Sequence, residues 1–230
     1  MSNLKQAIAN LLKQIPVDFG GGCSEHKAWV MATLIKEYQL TTSVDIGVYR
    51  GRSFLPQALA QKAINGKVFG VDPYSNQEAM QNDRPDLKEQ LDAFVQQTDF
   101  QALYEQVVHQ VNEHQLNAHA EIIRTTSALA APYFTANNIQ FGLIHIDGNH
   151  DTAAVMQDYA LYKPLLKPGG FLVLDDISWP SVKPVLMLAK RELKMVYQKK
   201  DTENDFAVFT TRQSFVHDFR LKRQLDRLLK

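Results

Sequence analysis

The feature of this sequence that most constrains its fold is the alternation of short apolar runs with longer segments of helical periodicity. Five runs rich in Val, Ile and Leu are bounded by Gly, Pro or Asp, at 43–46, 67–71, 119–124, 141–147 and 170–175. The segments of helical periodicity lie between them, at 53–64, 98–115, 126–136 and 151–166. Continuous apolar runs of this length are typical of strands buried on both faces of a parallel sheet. Repeated strand–helix units of this kind predict an α/β fold with a doubly wound, mostly parallel sheet and right-handed crossovers.

The last helix–strand junction and the C-terminus carry further signals. Pro168 and Gly169 are expected to stop the helix that precedes the fifth strand. Residues 193–200 and 206–211 flank the polar turn "DTEND". They predict an antiparallel β-hairpin at one edge of the sheet, which brings the number of strands to seven. Residues 213–230 predict a terminal amphipathic helix.

We predict a single domain over residues 1–230, because neither an internal repeat nor a Pro/Gly linker divides the chain. Within it, residues 1–40 form an N-terminal helical cap and residues 74–118 a helical insertion between the second and third strands. An insertion of this size near strand ends is often functional. It is either a helical elaboration or a lid over a site, and we expect a mixture of the two.

Composition excludes some partners and indicates a compartment. The 25 basic and 25 acidic residues cancel, so there is no electrostatic case for nucleic acid or an anionic membrane surface. The apolar runs are far too short to span a bilayer. Cys23 is the only cysteine, which rules out an intrachain disulfide and predicts a reducing, cytoplasmic location. A cysteine-poor secreted protein would have the same composition.

The first strand ends in "VDIGVYRGRSF", where Gly47 and Gly51 bracket a tight strand-to-helix turn. Glycine lets the backbone approach a ligand closely. The dinucleotide fingerprint requires a glycine two residues after Gly47, and Tyr49 stands there instead. The spacing Asp-x-Gly-x-x-x-Gly resembles the nucleoside loop of class I S-adenosylmethionine-dependent methyltransferases. Alone the loop is a weak signal, because glycine-bearing turns between strands and helices are common.

The second strand ends in Asp72, 21 residues after Gly51. A carboxylate at this position can accept both ribose hydroxyls of a nucleoside. The alternative is a turn or helix N-cap role, which is common for aspartate. The loop and the acid together favour cofactor binding.

The resemblance implies a fuller set of contacts with S-adenosylmethionine. Asp45 is expected near the methionine end of the cofactor, and Thr126 and Ser127 near its adenine. The alternatives are that Asp45 stabilises a turn and that the other two cap a helix beginning at Ala128. The complete set of predicted cofactor residues is Asp45, Gly47, Tyr49, Gly51, Ser53, Asp72, Thr126, Ser127 and Asp147.

Three carboxylates stand directly after buried strands: Asp147 after the fourth, and Asp175 and Asp176 after the fifth. If strand four lies beside strand one, as in the usual order 3-2-1-4-5, all three crowd one edge of the sheet. Like charges that close shift each other's protonation unless a cation intervenes. Oxygen ligands suit Mg²⁺, Ca²⁺ or Mn²⁺, so the trio predicts a divalent-metal site, with Mg²⁺ as the expected ion. The alternative is that one or two of these acids are helix caps or solvated loop residues.

The segment 144–177, "IHIDGNHDTAAVMQDYALYKPLLKPGGFLVLDDI", resembles metal-dependent class I methyltransferases, a group that includes antibiotic-sugar O-methyltransferases and cephalosporin-hydroxylase-like proteins. The match runs in order over residues 40–210. It implies a Rossmann-like sheet of order 3-2-1-4-5-7-6 and a metal held by Asp147, Asp175 and Asp176.

One position departs from the pattern of this group. Sugar-methylating relatives often carry a second aspartate, the suspected base, where this chain has Asn149, and an amide cannot take a proton. His150, the next residue, can. His150 and Asp147 are therefore the predicted catalytic residues, and the alternative for His150 is a structural histidine.

Two further features could complete the site. The glycine-rich stretch 18–29 precedes a helix that opens with Ser24. It is either a flexible loop with an N-cap or a loop that closes over the methionine end of the cofactor. Trp179 either forms a wall of a substrate pocket or only packs against neighbouring side chains.

These features predict a methyltransferase that uses S-adenosylmethionine and a divalent metal to methylate a hydroxyl oxygen of a small acceptor. The alternatives are a metal-dependent hydrolase or hydroxylase-like enzyme, and a non-catalytic module that binds S-adenosylmethionine. The glycine loop with Asp72 argues against a hydrolase, which needs no nucleoside pocket. The segments that would form the acceptor pocket contain no motif that identifies the acceptor. The amphipathic terminal segments either pair subunits in a homo-oligomer or cap the core.

Overall fold

The computed structural model describes residues 2–18, 22–200, 205–211, 221 and 223–225. Within these residues a seven-stranded sheet forms the centre. Its strands are β1 (Thr42–Ile46), β2 (Lys67–Val71), β3 (Ala120–Ile123), β4 (Phe141–Ile146), β5 (Leu166–Asp175), β6 (Lys194–Lys199) and β7 (Phe206–Thr210). The spatial order is β3-β2-β1-β4-β5-β7-β6. Strands β1 to β5 are parallel, and β7 runs antiparallel between β5 and β6. The predicted sheet, its order and its edge hairpin are confirmed.

Helices surround the sheet. They are α1 (Ser2–Gln14), α2 (Glu25–Glu37), α3 (Phe54–Ala63), α4 (Asn76–Ala79), α5 (Lys88–Gln97), α6 (Phe100–Glu113), α7 (Ser127–Ala136), α8 (Thr152–Tyr162) and α9 (Lys183–Glu192), with a 3₁₀ turn at Lys163–Leu165. The insertion 74–118 contains α4, α5 and α6, of which only α6 was predicted, and α9 was not predicted either. Among the described residues, none of the helices combines the length and the apolar character needed to cross a bilayer.

Alternate residues of the central strands face two separate apolar layers. Ile144 and Ile146 of β4 pack with residues of α7, α8 and α9, whereas Leu143 packs on the other face with α2. All six residues of β4 are buried. Burying one Leu or Ile side chain contributes about 1.5–3 kcal/mol relative to leaving it exposed. The two layers therefore hold the ends of the central strands in fixed positions.

Strand β5 begins earlier than the sequence predicted. Helix α8 ends at Tyr162 and β5 begins at Leu166, whereas the strand was predicted from Gly170. Pro168 and Gly169 therefore lie inside the strand rather than before it. The register between β4 and β5 shifts in this region. Proline has no N–H for the ladder, and it is tolerated in strands at such irregularities.

Two predictions fall largely outside the described residues. Of the turn 201–205, only Asp205 is described. Of the predicted helix 213–230, residues 221 and 223–225 are described and are helical. Leu221 and Leu225 are buried in the apolar layer that contains α2.

Candidate functional site

The C-terminal ends of β1, β2, β4 and β5 open into a cavity of about 670 Å³. Ligands of doubly wound sheets bind at this end of the strands. All predicted cofactor, metal and catalytic residues line the cavity except Asp45 and Gly51. The strand ends therefore bring together most of the side chains that the sequence singled out.

Gly47 is required by the approach of strand β4. Its φ is +87°, and a Cβ there would lie 2.1 Å from the carbonyl oxygen of Asp147. The neighbouring backbone is tied down on both sides, since Gly47 N donates to Val71 O at 3.0 Å and Asp147 N donates to Ile46 O at 3.0 Å. Only glycine has both the conformation and the space. The turn thus places the first acid of the trio beside the glycine loop.

Asp72 organises the glycine loop and also faces the cavity. Its Oδ2 accepts the backbone N–H of Tyr49 at 2.9 Å, and its Oδ1 accepts that of Tyr74 at 2.7 Å. Burial raises the pKa of Asp72, and these backbone donors offset part of the increase. The turn-stabilising role and the position on the cavity wall are therefore both present.

The N-terminal segment is anchored to the same loop through Asp18. The hydroxyl of Tyr49 donates to this carboxylate at 3.0 Å, and Arg50 forms an ion pair with it at 2.6 Å. Further along, Ser24 caps α2, which was one of the two alternatives for this stretch, because its Oγ accepts the backbone N–H of Lys27 at 3.2 Å. The loop and the helical cap are thereby held against each other.

Thr126 and Ser127 combine a capping role with a position on the cavity wall. Thr126 is the N-cap of α7, and its side chain accepts from Leu129 N at 3.4 Å. The helix begins at Ser127, one residue before the predicted start, and the Ser127 hydroxyl donates to Asp158. Asp158 is buried, and burial raises its pKa to about 6. The sequence prediction missed Asp158, which also lines the cavity.

Asp45 lies beneath the cavity floor with both oxygens engaged. Oδ1 is 2.5 Å from Nδ1 of His145, and Oδ2 accepts from Ser53 Oγ at 2.7 Å. Both Asp45 and His145 are 0% exposed. Burial alone would lower the pKa of His145, but the nearby carboxylates of Asp45 and Asp175 raise it to about 10. The pair is therefore a buried ion pair, and the sequence prediction did not include its histidine.

Lys27 of α2 is the second site residue that the sequence prediction missed. Its ammonium group contacts Asp175 and lies 3.7 Å from Oδ2 of Asp147. Burial acts to lower the pKa of Lys27, but the two carboxylates raise it well above the usual value. Burial likewise acts to raise the pKa of Asp175, but Lys27 and His145 hold it well below the usual value. Both partners are therefore charged.

His150 lies between the other two members of the acid trio. Its Nε2 is 2.9 Å from Oδ2 of Asp176 and 3.5 Å from Oδ1 of Asp147. Burial opposes protonation, but Asp176 and Asp147 raise the pKa of His150 to about 10. The pKa of Asp147 is raised to about 7 by burial and by Asp175, against the influence of Lys27. The three acids therefore face three protein cations, Lys27, His145 and His150, rather than one shared ion.

The insertion 74–118 is fastened to the loop that carries His150. Asn149 donates to Met80 O at 2.8 Å, and Asp151 accepts the backbone N–H groups of Asn82 and Asp83 at 2.7 and 2.8 Å. Asn149 and Asp151 thus fasten the insertion to the loop that carries His150.

Trp179 lies where the insertion meets the loop that carries His150. Its ring is 4.9 Å from the ring of His150, between centroids, and Arg84 lies 4.4 Å from the centroid of the Trp179 ring. Trp179 lines the cavity. It therefore forms a wall next to the predicted base.

The geometry can be compared with known proteins. A sequence model of the family described as "Methyltransferase domain" matches residues 44–177, which is more than half of the chain. No curated protein sequence matches the chain.

Several solved structures share the fold. The O-methyltransferase TomG from Streptomyces achromogenes, involved in tomaymycin synthesis and solved with SAM, has a TM-score of 0.62 and 12% identity, covering 91% of this chain and 90% of its own. An O-methyltransferase from Bacillus cereus, solved with SAH, has a TM-score of 0.57 and 12% identity, covering 91% of both chains. The SAH-bound Podospora anserina methyltransferase PaMTH1 has a TM-score of 0.57 and 11% identity, covering 91% and 88%. At these identities the likeness establishes the fold, and the family match over residues 44–177 establishes that this chain belongs to the methyltransferase-domain family.

Proposed function

We propose that this chain transfers a methyl group from S-adenosylmethionine to a hydroxyl oxygen of a small acceptor. The observation that carries the proposal is the shared cavity. Its wall contains the Gly47 turn and Asp72 together with the His150–Asp147 pair. A nucleoside site beside a proton acceptor is what methylation of a hydroxyl requires. The solved relatives that contain SAM or SAH support the choice of cofactor.

The residues at the strand ends fit the proposed cofactor. The cavity volume, about 670 Å³, lies in the usual range for small-molecule sites. Asp72 accepts two backbone N–H groups, and a carboxylate has further lone pairs for ribose hydroxyls. Thr126 and Ser127 would lie against the adenine. When bound, S-adenosylmethionine supplies a sulfonium methyl group that a hydroxyl oxygen can attack.

His150 is the proposed acceptor of the hydroxyl proton, and Asp147 is its catalytic partner. At neutral pH the raised pKa of His150, about 10, keeps most of the imidazole protonated. Only the neutral fraction can act as a base, so the rate depends on how often His150 releases its proton. Trp179 and the stapled insertion exclude water from this end of the cavity and orient the acceptor, and alignment of this kind supplies much of the rate of such reactions.

Metal assistance by Mg²⁺ was predicted through Asp147, Asp175 and Asp176, and these side chains do not fit an ion in that arrangement. Lys27 contacts Asp175 and lies 3.7 Å from Asp147, so an ion shared by these acids would meet an ammonium group. A neighbouring group, formed by Asp147, His150 and Asp176, offers three ligand atoms within 4.8 Å of one another. An ion there would take the lone pair that the proposed base needs. The proposed reaction therefore has no step through a metal.

Calorimetric titration with S-adenosylhomocysteine tests the cofactor, and transfer of a labelled methyl group to a panel of sugars, phenols and hydroxy acids tests the reaction. We expect saturable binding and at least one methylated product. Asp72→Asn should weaken binding by about 10-fold or more, the effect of losing charge-assisted hydrogen bonds. Absence of binding at millimolar ligand would argue for a hydrolase or hydroxylase-like enzyme. Binding without transfer to any acceptor would favour a non-catalytic module.

A further inference from the structure

A buried lysine lies where the sequence predicted a metal ion. The side chain of Lys27 is 4% exposed, and its ammonium group contacts Asp175 and lies 3.7 Å from Asp147. The side chain of Asp175 is 2% exposed. The side chain of Asp147 is 21% exposed. Two carboxylates this close repel each other, and a positive charge between them offsets the repulsion. Here the polypeptide itself carries that charge.

The position of Lys27 within α2 is locally unfavourable. Because Ser24 is the N-cap, Lys27 is the third residue of the helix. The N-terminal turn of a helix is electropositive and favours acidic side chains over lysine. A residue that breaks a local preference is expected where function or tertiary contacts require it. The two acids at the strand ends supply that requirement.

His150 completes the neutralisation of the trio. Its Nε2 lies 2.9 Å from Asp176. Each of the three predicted metal ligands therefore has a nitrogen of Lys27 or His150 within 3.7 Å. The positive charge that the sequence required is present as Lys27 and His150, and His145 lies 3.7 Å from Asp175 as a further cation.

We propose that Lys27 takes the place of a divalent cation in this site, so that methyl transfer by this chain is independent of metal. The inference rests on the proposed function. Lys27 lines the cavity, and an ammonium group can donate a hydrogen bond to the acceptor oxygen as well as supply charge. In the reaction, the oxygen–methyl bond forms as the sulfur–methyl bond breaks. The hydroxyl proton passes to His150, and the sulfur leaves as a neutral thioether.

The wild-type protein provides the first test. After treatment with EDTA and gel filtration, we expect methyl transfer to persist within about 2-fold, since the charge stabilisation comes from fixed protein groups. The electron paramagnetic resonance signal of free Mn²⁺ should not decrease when the protein is added, at Mn²⁺ concentrations up to ~1 mM, the weak end of protein cation sites. Loss of transfer on chelation with recovery on adding Mg²⁺, or one tightly bound Mn²⁺, would overturn the proposal.

The variant Lys27→Met provides the second test. It removes the ammonium group that lies against Asp175 and Asp147, so the variant should gain a Mn²⁺ site and a melting temperature that rises with Mn²⁺. Its transfer rate should fall by about 10²–10³-fold, the usual effect of removing one preorganised charge. Lys36→Met, in the last turn of the same helix, is the matched control. It should gain no Mn²⁺ site and should keep the wild-type transfer rate. A folded Lys27→Met protein that binds no Mn²⁺ would contradict the proposal.

The double variant Lys27→Met/Asp175→Asn assigns the gained site. It should bind no Mn²⁺, because one of the two carboxylates is gone. If Lys27→Met does not fold, the chelation and Mn²⁺ measurements on the wild-type protein still decide the question. The proposed function fails separately, through absence of S-adenosylhomocysteine binding, and that result leaves the Mn²⁺ measurements able to support or refute the role of Lys27.

Discussion

Asp45 and His145 occupy paired positions on β1 and β4, and Nδ1 of His145 lies 2.5 Å from Oδ1 of Asp45. Both side chains are 0% exposed. The other ring nitrogen, Nε2, faces Asp175 at 3.7 Å. Asp45, His145 and Asp175 therefore form a continuous row of charged side chains from the middle of the sheet to the floor of the cavity. This row holds Asp175 in place.

Asp45→Asn should destabilise the protein strongly. The substitution leaves a buried imidazolium without its carboxylate, which costs about 3–5 kcal/mol for buried pairs. Urea unfolding followed by circular dichroism measures the change in the free energy of unfolding. Asp45→Asn/His145→Asn is the control, and it should lose less than the sum of the two single variants. A loss below about 1 kcal/mol for Asp45→Asn, the value of an exposed pair, would show that the pair is not ionic.

Stability should fall as the pH becomes alkaline. Asp45 raises the pKa of His145 from 6.5 to about 10 in the folded chain, against the effect of burial. The proton is held more tightly when folded, so this contribution is complete below pH 6.5 and disappears as the pH rises through about 10. Denaturation at a series of pH values should show a steeper decline for the wild type than for His145→Asn. Parallel curves would contradict the assignment.

The methyl-transfer rate should rise with pH. In the proposed reaction His150 accepts the hydroxyl proton only when neutral, and Asp176 with Asp147 raises its pKa to about 10 in spite of burial. A plot of kcat/KM against pH should therefore climb through the neutral range and level off near that pKa. His150→Gln should be slow at every pH and should still bind S-adenosylhomocysteine. A profile that is unchanged in His150→Gln would remove the histidine from the proposed chemistry.

Gly47→Ala should damage both stability and cofactor binding. The new methyl group would lie 2.1 Å from the carbonyl oxygen of Asp147, at a φ of +87°. A loss of about 2–4 kcal/mol is expected from strain and displacement together. Gly148→Ala is the matched control, because its methyl group would meet its nearest atoms at 3.4 Å, an ordinary contact. Thermal melts and titration with S-adenosylhomocysteine compare the two variants. Equal effects would mean that the close approach does not matter.

Asp151→Ala should weaken acceptor binding and spare the cofactor. The substitution removes the acceptor of the Asn82 and Asp83 backbone N–H groups, which fasten the insertion over the His150 loop. We expect KM for the acceptor to rise about 10-fold, the effect of one or two lost charge-assisted hydrogen bonds, with the Kd for S-adenosylhomocysteine unchanged. Asp92→Ala, which breaks the Lys88 ion pair within the insertion, is the control. A change confined to the cofactor Kd would show that the insertion does not cover the acceptor.

Much of the site was predictable because it lies where strands end. Gly47, Asp72 and Asp147 directly follow apolar runs, and parallel strands bring such positions to one edge of a sheet. The alternation of strands and helices likewise predicted the parallel sheet, and the resemblance to class I methyltransferases implied its order. Thr126 was predicted with two alternatives, and the structure shows both its capping bond and its place on the cavity wall.

His145 carries a signal in the sequence that the prediction of the site did not use. A histidine within an apolar run that is buried on both faces requires a polar partner. Asp45 is an acid within β1, and it stands two residues before the strand-end glycine, as His145 stands two residues before Asp147. Because β1 and β4 are neighbours in the expected strand order, these matching offsets are enough to predict that the two side chains meet.

By itself, the sequence determined the sheet, the glycine turn and the presence of acids at the strand ends, because these follow from local periodicity and chain connectivity. Only the tertiary structure decided which cation meets which acid. Lys27 contacts Asp175 although 148 positions of sequence separate them. This contact depends on how α2 packs in the apolar layer that contains Leu143. The packing of that layer sets where the ammonium group lies, and no local pattern in the chain encodes it.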